Sequence, residues 1–142
     1  MREAYGGIFS LTLLATFLVI ISSIIAFAIS YSKALRMKEF AITQFEKQEC
    51  QINDDLRKSI EAEASRIGYS SNTSTCGDFS GENINGICIY RTINTASENS
   101  YAKSTGHVTT YAGINLPFLK DIFPSLQFEV KGTSNECRYL NN

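Results

Sequence analysis

IFSLTLLATFLVIISSIIAFAISY, residues 8–31, is the stretch that decides the fold of this chain, and it carries no charged side chain. At about 1.5 Å of rise per residue, a helix over this stretch is roughly 36 Å long. A hydrocarbon core of about 30 Å can be crossed by a helix of that length with some tilt. The stretch therefore predicts a retained, single-pass membrane helix, with the lipid bilayer as a partner.

Two other interpretations of this stretch remain open. A cleaved signal peptide needs a basic start, an apolar region of about 7–15 residues and a small-residue cleavage site. Arg2 and the run Ala26-Phe27-Ala28 supply weak versions of the first and last, but the apolar region between them is longer. A buried helix of a soluble domain is disfavoured because residues 68–142 are too few to wrap it.

The size and charge of the chain exclude several classes of function. Its 142 residues hold at most one ordinary domain. With 13 basic and 14 acidic groups, the net charge is −1, which leaves no electrostatic footprint for nucleic acid. His107 is the only histidine and is interpreted as a surface residue, since no orienting partner can be assigned to it. We expect no catalytic residues, no enzymatic activity and no cofactor.

Metal binding is also not expected. An oxygen-rich turn between two cysteines contains ligand types that suit a hard cation, but Gly81 breaks the order of a calcium-binding loop. Its members are Asp78, Ser80, Glu82, Asn83 and Asn85. A solvated turn is the simpler interpretation. No two cysteines have the CxxC spacing of a typical zinc site.

Four cysteines, all outside the apolar stretch, predict two disulfide bonds in an oxidising compartment. Three connectivities are open. We favour Cys76–Cys88, which closes a short glycine-rich loop, together with Cys50–Cys137, which ties the chain end to the long helix. Four buried thiols in a reduced domain are the alternative.

Small side chains recur at helical spacing within the apolar stretch. Positions four apart share a helix face, and small residues on one face let a second helix approach closely in lipid. The pattern therefore predicts a helix-packing face, against the alternative of ordinary serine and threonine content. Its members are Thr12, Thr16, Ser22, Ala26 and Ser30.

The cationic residues and the cysteines disagree about the side of the membrane on which the rest of the chain lies. Lys33, Arg36 and Lys38 follow the apolar stretch, and the positive-inside rule places such residues in the cytoplasm. The cysteines require the opposite orientation. We follow the cysteines, expect an extracytoplasmic head on a cell-membrane anchor, and expect the cations to be engaged in contacts of the helix.

An α+β fold is predicted, with a long N-terminal helix followed by a small antiparallel sheet. The domains are a membrane helix with a short lead (1–32), an amphipathic helix (33–67) and a small disulfide-stapled, β-rich head (68–142). Apolar residues continue at helical spacing to Ile67, either in one helix or in two helices jointed near Asn53, and Gly68 is the stop signal. The helical stripe comprises Met37, Phe40, Ala41, Phe45, Ile52, Leu56, Ile60, Ala64 and Ile67.

Three strands are predicted from alternating side chains, over residues 87–93, 108–114 and 126–130, and residues 137–140 form a further edge. Residues 94–104 are polar and are predicted to form a loop. Tyrosines at four positions of this region form either a binding face or ordinary sheet packing. They are Tyr90, Tyr101, Tyr111 and Tyr139.

A short lead ending in Gly6-Gly7, an apolar helix that continues as an amphipathic one, and a cysteine-bearing β region resemble the type IV pilin superfamily. Within it, the nearest resemblance is to the TadE-like pseudopilins of tight-adherence (Flp-type) pili. The residues that carry it are the membrane exit Tyr31-Ser32-Lys33-Ala34-Leu35 and the run from Leu116-Pro117-Phe118 to Phe128-Glu129-Val130-Lys131-Gly132.

The resemblance implies a structural, non-enzymatic subunit, a minor pilin or pseudopilin, that acts in pilus or secretion-filament assembly and in adhesion. Its partners would be other pilin-like subunits or membrane proteins of pilus assembly, and its place the membrane or an extracellular filament. Gly6 and Gly7 would be the leader-processing positions. Such leaders usually carry Glu five residues after the cleaved glycine, where this chain has Leu11 or Thr12. An uncleaved or minor component is therefore expected.

A single-pass, membrane-anchored, extracytoplasmic binding module is the alternative function. It would remain a monomer in detergent and would not associate with filaments.

Overall fold

Helix α1 extends over Arg2–Lys47 in the computed structural model, which describes residues 2–71, 76, 81–94, 101–113 and 127–140. Its 46 residues correspond to about 69 Å. The apolar stretch and the first part of the amphipathic stripe thus form one continuous helix. Gly6 and Gly7 lie inside this helix and do not form a separate lead. By length and composition α1 can cross a membrane.

A tight turn, which contains neither glycine nor proline, ends α1. Glu49 and Cys50 adopt left-handed backbone angles, with φ of 53° and 57°. Helix α2 (Asp54–Ile67) follows, and the Asn53 side chain accepts a hydrogen bond of 2.9 Å from Leu56 N–H at its start. Gly68, with φ of 64°, ends α2, as this left-handed conformation is one that glycine adopts readily. Of the two alternatives for the stripe, two helices jointed near Asn53 is the one found.

Helix α2 folds back along α1 toward the apolar stretch. The backbone oxygen of Gly68 accepts a hydrogen bond of 3.1 Å from Lys33 Nζ, and Glu63 lies 3.6 Å from the Arg36 guanidinium. The face of α2 that carries Leu56, Ile60 and Ala64 is buried. The two helices therefore form an antiparallel hairpin, which returns the chain to the part of α1 next to the apolar stretch.

A five-stranded antiparallel sheet packs on α1, which gives the predicted α+β fold. The strands are β1 (Glu82–Ile84), β2 (Ile87–Asn94), β3 (Tyr101–Gly113), β4 (Gln127–Thr133) and β5 (Cys137–Leu140). Their order is β1-β2-β3-β4, and β5 lies end to end with β4 on the same edge of β3. An ion pair between Arg57 and Glu82 joins α2 to the short strand β1.

A bulge separates β4 from β5. Thr133 pairs with His107 and Cys137 pairs with Ser104, so three residues on this edge face two on β3. The Ser134 backbone N–H donates to Gly106 O, and its hydroxyl accepts from Gly106 N–H, each at 2.8 Å. The Ser134 hydroxyl thus takes the place of a backbone acceptor in the hydrogen-bond ladder between this edge and β3.

The strands predicted over residues 87–93, 108–114, 126–130 and 137–140 fall on β2, β3, β4 and β5. Two of the predicted residues, Ile114 and Leu126, lie outside the described part of the chain. The loop predicted over residues 94–104 is wrong at both ends. Asn94 ends β2, and Tyr101–Ser104 belongs to β3, because it pairs with β5. Strand β1 was not predicted, because three residues are too few to show alternation.

The core lies between α1 and the inner face of the sheet. Phe45, Met37 and Ala41 of α1 are fully buried there, against Ile89 and Val108. The helix approaches β3 so closely that a Cβ at Gly106 would overlap the Phe45 ring. Further along α1 toward the apolar stretch, the Thr110 hydroxyl donates a hydrogen bond of 2.9 Å to Ala34 O. The sheet therefore follows α1 from its end back toward the apolar stretch.

Candidate functional site

The first part of α1 is exposed along almost its whole length. Residues 6–25 are all exposed except Ser23, which is half-buried. They include Ile8, Phe9 and Leu11, whose exposed fractions are 64%, 72% and 69%. Twenty helical residues measure about 30 Å, the thickness of a hydrocarbon core. We call residues 6–25 the bare segment of α1.

Four hydroxyl groups on the bare segment donate hydrogen bonds within the helix. Thr12 Oγ1 donates to Ile8 O at 2.9 Å and Thr16 Oγ1 donates to Thr12 O at 2.8 Å. The hydroxyls of Ser22 and Ser23 both donate to Val19 O. Because each proton is turned toward the backbone, these side chains add little polarity to the helix surface. They can therefore face lipid or another apolar helix.

Thr12 and Thr16 form the floor of a shallow depression on the bare segment. Its volume is about 370 Å³. Larger apolar side chains border it, namely Phe9, Leu13, Phe17 and Ile20. Such a depression, with small residues below and large ones around, is the shape into which side chains of a second helix fit.

The structure divides the predicted helix-packing face. At 100° per residue its five members fall within an arc of about 120°. Thr12, Thr16 and Ser22 are exposed, whereas Ala26 and Ser30 are half-buried. These two lie beside Phe27, the level at which the head reaches α1. The part of the face that is open to another helix is therefore the part before Ala26.

An aromatic contact joins the head to α1 at the end of the bare segment. The rings of Phe27 and Phe128 meet edge to face, with centroids 5.1 Å apart, and Tyr31 lies 6.0 Å from Phe27. Phe128 is 44% exposed and Tyr31 is 43% exposed. The apolar run Leu116-Pro117-Phe118, which carried part of the resemblance, lies outside the described residues.

Two of the three cations that follow the apolar stretch are engaged within the chain. Lys33 donates to Gly68 O, and Arg36 lies beside Glu63. Glu63 also accepts two hydrogen bonds from Arg66, at 2.6 and 2.7 Å. The hydrogen bond with Arg66 lowers the pKa of Glu63, and the same contact raises the pKa of Arg66. Lys33 and Arg36 thus have partners within the chain itself.

The structure pairs the cysteines as Cys50–Cys137 and Cys76–Cys88, with Cα atoms 5.9 and 5.5 Å apart. This is the connectivity favoured from the sequence. The first bond joins the turn after α1 to β5, 87 positions away in the chain. The second spans 12 positions and ends on β2.

Next to the Cys50–Cys137 bond, α1 makes a further contact with the bulge. Glu46 Oε1 accepts a hydrogen bond of 2.8 Å from Asn135 N–H. Cys50 and Ser134 are both buried, and Cys50 Sγ lies 3.8 Å from Ser134 Oγ. The end of α1 is thus attached to the β4–β5 edge by a covalent bond, a hydrogen bond and buried packing.

The outer face of the sheet carries aromatic and charged side chains. Tyr90 and His107 stack with ring centroids 4.7 Å apart, so His107 is half-buried and not the plain surface residue that was predicted. Lys131 donates to Glu129 at 2.7 Å, a hydrogen bond that raises the pKa of Lys131. Burial raises the pKa of Tyr111, which lies opposite Glu129. The side chains of Tyr101 and Tyr139 lie outside the described part of the structure.

Tyr69, which the sequence reasoning did not single out, connects α2 to the sheet. It is 7% exposed; its hydroxyl donates to Tyr111 O at 3.1 Å and accepts from Tyr111 N–H at 2.9 Å. Burial raises the pKa of Tyr69. Its position directly after Gly68 was the available signal, because an aromatic residue after a helix stop often packs back on the helix end.

The oxygen atoms of the turn near β1 are used within the fold. Asn83 Oδ1 accepts from Gly86 N–H at 2.8 Å, and Glu82 pairs with Arg57. Over residues 2–71, 76, 81–94, 101–113 and 127–140, no group of three His, Cys, Asp or Glu side chains is arranged to hold a metal ion. Asp78 and Ser80, the other oxygen donors considered from the sequence, lie outside these ranges.

The described residues therefore contain two surfaces on which a function can rest, the bare segment of α1 and the outer face of the sheet. No protein-family model, curated protein or solved structure matches the chain.

Proposed function

We propose that this chain is a structural, non-enzymatic, pilin-like subunit, a minor pilin or pseudopilin, that takes part in pilus or secretion-filament assembly. The observation that carries the proposal is the bare segment of α1, which continues directly into a part of the same helix that is buried under the head. A helix with one half committed to the head leaves the other half for lipid or for neighbouring helices.

The chemistry of the bare segment supports both occupants in turn. The hydroxyls of Thr12 and Thr16 donate to backbone oxygens of the same helix, so these side chains add little to the cost of storage in the bilayer. The depression over Thr12 and Thr16 then offers a fitting surface to a second helix. Exchange of lipid for protein contacts changes the polarity around the segment very little, so packing decides the preference.

The engaged cations support an extracytoplasmic head. Lys33 and Arg36 have partners in the fold, in Gly68 and Glu63. Their presence after the apolar stretch therefore has a reason other than orientation in the membrane. Two disulfide bonds favour the oxidising side. Alkylation of cells with and without a reductant tests this, because four oxidised cysteines are expected before reduction.

Association with filaments tests the proposal most directly. The double variant Thr12→Phe/Thr16→Phe fills the depression and is expected to lower the fraction of the protein recovered with sheared filaments. Leu14→Phe/Leu18→Phe is the matched control, because it has the same spacing on the opposite face of α1, where both leucines are 58% exposed. Both variants should remain in the membrane fraction.

Equal recovery of both double variants and the unmodified protein with filaments would show that the depression is not a packing surface. Recovery of none of them would favour a protein outside the filament. N-terminal sequencing of the same sample shows whether cleavage occurs at Gly6 or Gly7.

A single-pass anchored binding module is the second candidate, and the outer face of the sheet favours it. The stacked pair Tyr90 and His107, together with Lys131, places aromatic and cationic groups on one exposed surface. This function requires a stable monomer in detergent. It is distinguished from the first function by its oligomeric state in detergent and by the absence of the unmodified protein from sheared filaments.

A further inference from the structure

We infer that the head rests directly on the bilayer surface, with Phe128 at the level of the lipid headgroups. The lipid contact is thus made by the sheet as well as by the bare segment of α1. This inference depends on the proposed membrane crossing by α1, but not on membership of a filament. Its partner is a phospholipid surface.

The length of the bare segment leaves no gap between head and membrane. Residues 6–25 match the hydrocarbon thickness at about 30 Å, and the head reaches α1 from Ala26 onward. When α1 is shifted outward until Glu3 reaches the inner boundary of the hydrocarbon core, Phe27 lies only about 6 Å beyond the outer boundary, which is within the headgroup layer. A helix that slides deeper takes Phe27, and with it Phe128, into the lipid.

The contact between Phe27 and Phe128 transfers this depth to the sheet. Their ring centroids are 5.1 Å apart, and the strand end that carries Phe128 therefore lies at the level of Phe27. Phe128 and Val130 are two positions apart on β4 and therefore lie on the same, inner face of the sheet. Phe128 nevertheless remains 44% exposed, whereas Val130 is 7% exposed. An apolar surface at this level covers the exposed part of the ring.

The neighbouring groups have the chemistry of a membrane interface. Tyr31, one turn after Phe27, is 43% exposed and combines an apolar ring with a polar hydroxyl, as residues of the interfacial aromatic belt do. Lys33 lies about 9 Å further along the helix than Phe27, on the water side of the headgroup layer, and side chains of an α-helix are tilted toward its N-terminus, here toward the headgroups. Its ammonium group donates to Gly68 O and keeps further protons for a phosphate oxygen.

Depth measurements with single tryptophans test the inference, because the chain contains no tryptophan. The full chain is placed in vesicles of phosphatidylcholine and phosphatidylglycerol that contain brominated lipids, with bromine either near the carbonyl or near the methyl end. Phe128→Trp reports the sheet end, and Thr133→Trp on the same strand is the control. Thr133 is exposed and lies about 17 Å further along β4.

Quenching of Phe128→Trp by the shallow bromines is expected to be at least roughly twofold stronger than that of Thr133→Trp, because bromine quenches only at short range. Its emission should also lie at shorter wavelength. Phe17→Trp, in the bare segment, should be quenched most by the deep bromines. Both disulfides are verified by non-reducing mass spectrometry for each variant.

Equal, weak quenching of Phe128→Trp and Thr133→Trp, with Phe17→Trp deep in the membrane, would overturn the inference and leave the membrane crossing intact. Absence of quenching at Phe17→Trp would overturn both. Glu129→Trp repeats the measurement at an exposed neighbouring position without touching the Phe27–Phe128 contact, and shallow quenching there is expected as well.

Discussion

Phe9, Phe27 and Phe45 lie on one line of α1 and have three different surroundings. Each is separated from the next by 18 residues, about five turns of an α-helix, so the three rings leave the helix in the same direction. Phe9 is 72% exposed, Phe27 is half-buried against Phe128, and Phe45 is fully buried over Gly106. One face of one helix thus passes from bare to fully covered.

The comparison shows what helical periodicity does and does not determine. It determines which residues share a face, but the occupant of that face depends on contacts made by distant parts of the chain. For Phe45 the occupant is β3; for Phe9 it is the lipid or helix that we propose. Substitutions along this line separate the two regions, since only the covered region contributes to the stability of the head.

Loss of the Cys50–Cys137 bond should weaken the covered region most. Changing both cysteines to Ala removes a cross-link that spans 87 positions. The chain-entropy estimate predicts that this lowers the free energy of unfolding by about 4–5 kcal/mol. Cys76→Ala/Cys88→Ala removes a 12-position cross-link and should cost about 3 kcal/mol. Urea unfolding in detergent, followed by the near-ultraviolet dichroism of the tyrosines, measures both.

The helical signal of the bare segment should persist in both cysteine variants after the head has unfolded. A larger loss for the short cross-link than for the long one would contradict the view that the Cys50–Cys137 bond holds α1 to the sheet.

Phe45→Ala should cost about 3–5 kcal/mol of head stability, because it leaves a cavity above Gly106. Phe9→Ala, ten turns away on the same line, is the matched control and should change head stability by less than about 0.5 kcal/mol. Thermal unfolding of both full-length variants in the same detergent checks the difference. Similar losses would mean that the bare segment packs on the head, which breaks the comparison.

Tyr69→Phe should cost about 1–3 kcal/mol, because it leaves the backbone N–H of Tyr111 without its acceptor. A pH effect accompanies it. Burial raises the pKa of Tyr69 above the value of about 10 that it has in the unfolded chain. Its stabilising contribution is therefore complete below about pH 10 and is lost as the pH rises through the pKa of the folded state.

The pH dependence of the unfolding midpoint from neutral to alkaline pH measures this effect. Tyr69→Phe should show a shallower alkaline decline than the unmodified protein. Some decline should remain, because burial also raises the pKa of Tyr111. An unchanged alkaline slope would show that Tyr69 ionises as easily in the fold as outside it.

Local signals predicted much of the fold. The Gly68 stop and the strand over residues 87–93 each depend on neighbours in the sequence, and each is found. A joint near Asn53 was only one of two alternatives, because Glu49 and Cys50, which form the turn after α1, are not residue types that favour left-handed angles. Long-range contacts hold it, including the bond from Cys50 to Cys137.

Tertiary contacts also explain the remaining differences. Ile52 was counted in the helical stripe but is 37% exposed, because it falls in the connection between α1 and α2. The exposed part of the helix-packing face ends before Ala26, because the head reaches α1 there. The position of Tyr69 after Gly68 is a local signal only for packing on the helix end. Its hydrogen bonds, and the ring contact of Phe128, depend on partners more than 40 positions away.

The Cys50–Cys137 bond also has a consequence for the time at which the head can close. A chain made at about 5–20 residues per second needs roughly 4–17 s to add the 87 positions between the two cysteines. Cys76 and Cys88 emerge within that interval, so Cys50 meets two other thiols before its own partner exists. The order of synthesis alone would favour a different cysteine pair. Cys50 pairs with Cys137 because the packing of α1 on β3 brings Cys50 to the bulge beside β5.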